Sequence, residues 1–240
     1  TQSTWGLSAP NRRNKNLLWL LKELGSSPFS ICPVLMDGDD KRALGKISTS
    51  FQRLASGLEE SAPPTLDVAS FSDACELVSP LFRCLGIAFK FAEMDYVAKV
   101  RDLAKASGTI ATLDVLVQKD VDTNRVKIAG SHARNLLRVK RGIDMVKVLF
   151  EEILASEENS LRGPASKAYS QVFAPHHGWA IRKAVSAGLY ALPTKPQLLQ
   201  KLNEDESSAR IHMQSYVESS LPVINYIDNL FLKRQLGIDW

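Results

Sequence analysis

Little in this sequence is suited to holding a fold together by covalent or metal bonds. Its three cysteines, Cys32, Cys75 and Cys84, are odd in number, lack CxxC spacing and sit in apolar runs. That usage fits reduced thiols in a cytosolic compartment and argues against a disulfide framework or a zinc site. No apolar run approaches the roughly 20 residues a helix needs to cross a bilayer, so a soluble chain is expected. Charge of one sign is scarce as well. The net charge is +4 over 240 residues, with acids interleaved among the bases, which argues against a nucleic-acid footprint on the whole surface. Strand-like alternation is nowhere convincing, and no internal repeat is visible. At 45% apolar residues the chain is long enough for one sizeable core, and one domain is expected.

What is present is helical periodicity, interrupted by proline and glycine. Helices are expected over 41–60, stopped by "SAPPT", and over 70–107, with Pro80 as a kink and "SG" as the end. Shorter helical segments follow over 110–118, 131–153 and 165–173, the last halted by Pro175. The remaining segments are 176–192, 197–208 and 209–236, with Pro222 starting or bending the final one. The expected architecture is all-α, with about eight helices. The stretch 1–35 stands apart: Arg12, Arg13 and Lys15 precede "NLLWLL", a faint imitation of a signal peptide that Lys22 and Glu23 interrupt. Met36 is the expected natural beginning. Residues 1–35 are therefore read as an extension outside the fold, and 36–240 as the domain.

Two helices carry charge where an ordinary surface helix would not. Advancing about 100° per residue from Arg134, the side chains of Arg138, Arg141, Met145, Val148 and Leu149 fall within about 60° of it. That stripe starts basic and ends apolar. A second stripe of Leu136, Val139, Ile143, Val146, Phe150 and Ile153 lies on roughly the opposite side, so two faces of this helix favour leaving water. In the segment 81–103, Leu81, Cys84, Ala88, Phe91, Asp95 and Lys99 share an arc of about 80°, here apolar first and charged last. If the two helices run in opposite directions along these stripes, Asp95, Lys99, Arg134, Arg138 and Arg141 gather at one end of an apolar sleeve. Such a pocket suits an amphiphile with an anionic head. The same residues also suit a surface ion-pair network, the adjacent histidines of "APHHGW" suit a helix start after Pro175, and Trp179 suits a partly buried core.

The segments "FKFAEMDYVAKV", "RNLLRVKRGIDMVKVLFE" and "FAPHHGWAIRKA", in this order and spacing and followed by a terminal "QLGIDW", resemble the glycolipid transfer protein family. Within it they are most similar to the plant accelerated-cell-death branch, which transfers ceramide-1-phosphate. The resemblance covers about residues 37–240. It implies a two-layer sandwich of helices that encloses one sphingolipid and carries it between membranes without cleaving a bond, needing no metal and no cofactor. On that resemblance Asp95 accepts from the sphingoid amide N–H and His177 donates to the amide carbonyl, clamping a group that cannot be left unpaired beside hydrocarbon. Lys99, Arg134 and Arg138 correspond to the phosphate-reading cations, and Arg141 to an arginine beside the site. Sugar-binding members of the family have asparagine at the position of Lys99, lysine at that of Asp102 and tryptophan at that of Arg138. The exchange removes a stacking platform for a sugar and adds cations for a phosphate.

Trp179, beside His177, is implied to meet the membrane, with Arg182 and Lys183 adding attraction to anionic lipid. The implied setting is the cytoplasm, peripheral at membranes, with ceramide-1-phosphate or a related sphingolipid as partner and only transient membrane contact. An alternative is a lipid sensor or helical scaffold in cell-death signalling that binds lipid without shuttling it. A nucleic-acid module would explain Arg134 to Arg141 but not Asp95 among them, and the run lacks interleaved aromatics for base stacking. No nucleophile, base and oxyanion-donor set can be assembled from "HHGW" and the serines, so an enzyme is not expected.

Overall fold

Proline and glycine set the helix ends more firmly than the periodicity does. The computed structural model describes residues 43–86 and 89–240; the expectations for the extension 1–35, for Met36 and Cys32, and for Ala88 lie outside them. After α1 (Ala43–Glu60), the helix expected over 70–107 is in fact three: α2 (Val68–Glu76), α3 (Ser79–Cys84) and α4 (Lys90–Ala106). Pro80 stands in the first turn of α3, where a missing N–H costs no helical bond. Gly86, at φ 100°, then leaves helical geometry in the left-handed sense that a glycine adopts without strain. Leu81 and Cys84 consequently do not share a helix with Asp95 and Lys99. The single graded stripe expected over 81–99 is corrected to two separate pieces.

The chain continues with α5 (Leu113–Asp122), α6 (His132–Ala155) and α7 (Arg162–Val172), then α8 (Trp179–Gly188), α9 (Lys195–Leu202) and α10 (Glu206–Leu232). The segment expected to be helical from residue 176 begins later. Ala174–His176 forms one 3-10 turn, His177 is extended at φ −107° and ψ 134°, and Gly178 caps α8. Pro222 lies inside α10 and does not start it. The described residues contain no strand, only two isolated bridges.

Helix α6 lies at the centre, packed on α4, α5, α7 and α10, while α10 also covers α1. This is the expected all-α sandwich. Both stripes of α6 are buried where they are apolar: Leu136, Val139, Ile143, Val146, Phe150 and Ile153 on one side, Met145, Val148 and Leu149 on the other. Removing each such side chain from water contributes roughly 1.5–3 kcal/mol. Tyr216 of α10 joins the layers. Its ring meets Phe51 of α1 at 4.8 Å and Phe150 of α6 at 5.5 Å, both edge to face, and its hydroxyl donates to the Ile143 carbonyl at 3.1 Å.

Candidate functional site

The basic end of α6 is built from its first turn. Ser131 caps the helix by accepting from the Arg134 N–H at 3.2 Å, and the buried Asp120 of α5 accepts from the Ala133 N–H at 2.7 Å. Two otherwise unpaired amides are thereby satisfied, which fixes where Arg134 and Arg138 start.

Two contacts then set α4 against α6. Near one end the Tyr96 ring packs on Gly142 so closely that a Cβ at residue 142 would stand 2.6 Å from Cε2. Tyr96 is itself anchored by donation to the Cys75 carbonyl at 3.0 Å. Toward the other end Asp102 accepts from Asn135 Nδ2 at 2.9 Å and meets His132 Nδ1 at 2.8 Å. Residue numbers rise on α4 as they fall on α6, so the helices are antiparallel. Lys99 therefore lies level with Arg138, and Asp95 with Arg141 and Gly142.

This register brings the expected charged residues together. Lys99 is buried, 9% exposed, and its ammonium pairs with the Asp95 carboxylate and donates to the Asp95 carbonyl at 3.2 Å. The Asp95 side chain is 64% exposed. A buried cation is thus held by an anion that still faces solvent. Arg138 is exposed and Arg134 half-buried, the latter donating to the Lys127 carbonyl at 3.0 Å. Arg141 faces a different duty. It is buried, and its Nη2 donates to the carbonyls of Ile238 at 2.6 Å and Trp240 at 2.8 Å. Burial, followed by the neighbouring Arg138 charge, lowers its pKa from the ordinary guanidinium value.

His177 joins the group from the other side. Its pKa is lowered first by burial, then by His176, Arg138 and Arg141, with Asp95 opposing them. The imidazole therefore stands in the field of both the arginines of α6 and the carboxylate of α4. Its ring stacks on Phe173 at 5.5 Å with the planes 16° apart, and its Nδ1 meets the Tyr169 hydroxyl at 3.0 Å. Two residues on, Trp179 opens α8 with 70% of its surface exposed, which removes the reading of a core indole. Ile181, Arg182 and Lys183 are exposed beside it, and Gly188 is the one buried residue of α8.

The sequence pattern did not reveal Tyr169, Asp120 or the Asp102 network. Tyr169 lies eight positions before His177, across a helix end and Pro175, so no periodicity links the two. Asp120 and Asp102 look like ordinary surface carboxylates until the tertiary contacts form. Among the described residues no group of His, Cys, Asp and Glu is placed to hold a metal ion.

Residues 66–204 match the family described as "Glycolipid transfer protein (GLTP)". The chain is 64% identical over 207 residues to accelerated cell death 11 of Arabidopsis thaliana, covering 86% of this chain and all of that protein. A crystal structure of a point mutant of that Arabidopsis protein, complexed with C12 ceramide-1-phosphate, superposes with a TM-score of 0.81 at 66% identity, over 83% of this chain and 98% of that one. Human ceramide-1-phosphate transfer protein, also complexed with a 12:0 ceramide-1-phosphate, shares the fold at a TM-score of 0.69 and 19% identity, over 79% and 96% of the two chains.

Proposed function

Because the chain belongs to the glycolipid transfer protein family, we propose that it binds one ceramide-1-phosphate, or a closely related phosphosphingolipid, and carries it between membranes. What supports this reading is that Lys99 pairs with Asp95, while His177 stands in the field of both that carboxylate and Arg138. An ammonium and guanidinium groups donate to phosphate oxygens in charge-assisted bonds, and Arg134 and Arg138 add the planar fork that Lys99 lacks. The Asp95 carboxylate accepts from the sphingoid N–H, and His177, neutral because burial and its cationic neighbours disfavour the charged ring, donates to the amide oxygen. The hydrocarbon enters the apolar layer that α6 presents beyond Arg141, at Met145, Val148 and Leu149. No bond is broken in this cycle.

The domain that does this is taken as 36–240, with 1–35 as an extension, working in the cytoplasm and touching membranes at Trp179. No described helix is long and apolar enough to cross a bilayer. A sugar headgroup fits less well, since Arg138 offers no flat apolar face and a neutral head brings no anion to the exposed Arg138 charge. The name of the Arabidopsis relative supports a second reading, a sensor in cell-death signalling that binds lipid without shuttling it.

The test is transfer of labelled ceramide-1-phosphate from donor to acceptor vesicles by the purified chain, beside native mass spectrometry of the lipid-loaded protein. Binding with transfer supports the proposal, and binding without transfer supports the sensor. Absence of binding overturns both.

A further inference from the structure

The hydrogen bond between Tyr169 and His177 does more than fill space. A neutral imidazole carries its proton on one nitrogen and accepts on the other, and the partner of one nitrogen decides the role of the second. Here the Nδ1 partner is a phenol, 3.0 Å away. Burial raises the Tyr169 pKa above its ordinary value, with Arg182 opposing, so the phenol keeps its proton at neutral pH and has one to give. The ring plane is fixed independently by the stack on Phe173 and by the tilted contact with the Tyr169 ring at 5.7 Å. Orientation is thus governed by Phe173 and the Tyr169 ring and proton position by the Tyr169 hydroxyl alone, and both neighbours belong to the end of α7 or the turn after it.

We propose that Tyr169 is a positioning residue for His177: its hydroxyl donates to Nδ1, which places the imidazole proton on Nε2 and aims it as a donor. The assignment of that donor to a lipid amide oxygen rests on the amide reading of His177 given above. The tautomer itself does not. Without the phenol, the ring would distribute its proton over both nitrogens, and the fraction with Nδ1–H would present an acceptor to a carbonyl, where two lone pairs meet. Tyr169 so acts without touching the lipid head, and it acts equally on every sphingolipid that carries the amide, whatever its headgroup.

The Tyr169→Phe variant tests this, because it keeps the ring that packs against His177 and removes only the hydroxyl. Nitrogen NMR of the His177 ring, on the lipid-free chain at a pH where the ring is neutral, should show Nε2–H in the parent and a mixture in the variant. A parent ring protonated at Nδ1, or a variant with an unchanged tautomer, overturns the proposal. In the lipid arm, ceramide-1-phosphate capture from vesicles should fall about three- to tenfold in the variant, the worth of one neutral hydrogen bond, with unchanged circular dichroism. Capture at the parental level, with the tautomer shifted as expected, overturns the positioning role. If the parent captures no ceramide-1-phosphate while its ring still follows Tyr169, the proposed function falls and the tautomer assignment stands.

Discussion

The ring of Tyr96 occupies the space that any side chain at Gly142 would need, at 2.6 Å from a Cβ built there. Glycine at this point lets α4 and α6 approach until Lys99 lies level with Arg138. Gly142→Ala should displace Tyr96, stretch its bond to Cys75 and separate the two halves of the charged cluster. Overpacking of a filled interior costs about 1–3 kcal/mol, so the midpoint of urea unfolding should fall, and lipid capture should fall further than the lost stability explains. An unchanged midpoint would show that the ring rotates aside freely.

Arg138 is exposed and level with the buried Lys99, which leaves its guanidinium accessible to an anion from solvent. Arg138→Ala should lower ceramide-1-phosphate transfer roughly ten- to hundredfold, the range for a charge-assisted hydrogen bond, while circular dichroism stays parental. Lys99→Ala should lower transfer less, since an ammonium acts more as a point charge, but should cost stability because its stem is buried. Vesicle transfer and thermal unfolding, measured on both variants, separate the two effects.

Asp95 offers a contrasting experiment. Asp95→Val leaves the amide N–H of a bound lipid unpaired, at a cost of about 1–3 kcal/mol, and also strands the Lys99 ammonium. Binding of every ceramide-based lipid should drop, with or without a phosphate. Loss confined to phosphate lipids would mean that Asp95 serves only to hold Lys99.

Trp179 is exposed, so its replacement should leave the fold intact. Trp179→Ala should weaken adsorption to vesicles by about 1–2 kcal/mol, part of the burial worth of a large side chain at an interface. Headgroup preference should be retained, because none of the cations is altered. Sedimentation with vesicles reads the first effect, and competition between lipids in the transfer assay reads the second.

His176 and His177 both have pKa values lowered from the ordinary 6.5, with burial as the first cause in each. The unfolded chain therefore binds protons that the folded chain resists. Stability from these two rings is complete above the unfolded value and is lost as pH falls through it toward the lower folded value. Denaturant midpoints should decline as pH falls through about 6.5, and His177→Asn should flatten part of that slope. A midpoint that rises on acidification would contradict the sign.

Much of this arrangement was legible in one dimension. The two apolar stripes and the basic run of α6 follow from a 3.6-residue period, and the observed helix, His132–Ala155, differs from the expected 131–153 only at its ends. The register between α4 and α6 was not legible, because it depends on Gly142, whose meaning appears only when Tyr96 is known to lie on it. The break of the expected 70–107 helix was half visible: Pro80 marked one interruption, but Gly86 looked like any helical glycine until its φ was seen. His177 was found through its neighbours in the motif. Its partner Tyr169 was not, since a hydrogen bond across a helix end leaves no periodic trace.

Chain ends are ordinarily where trimming and fusion are tolerated, unless their backbone is buried and bonded. Here the carbonyls of Ile238 and Trp240 are the acceptors for the buried Arg141 guanidinium, and the Trp240 indole donates back to the Leu236 and Gly237 carbonyls while Lys127 lies over its ring. Deleting the last three residues would leave an interior cation without its acceptors, a change of the kind that costs several kcal/mol in a core. The segment 236–240 is itself only half-covered, yet its carbonyls complete the surroundings of a side chain on α6 nearly a hundred positions earlier, so cutting it should be felt at Arg141.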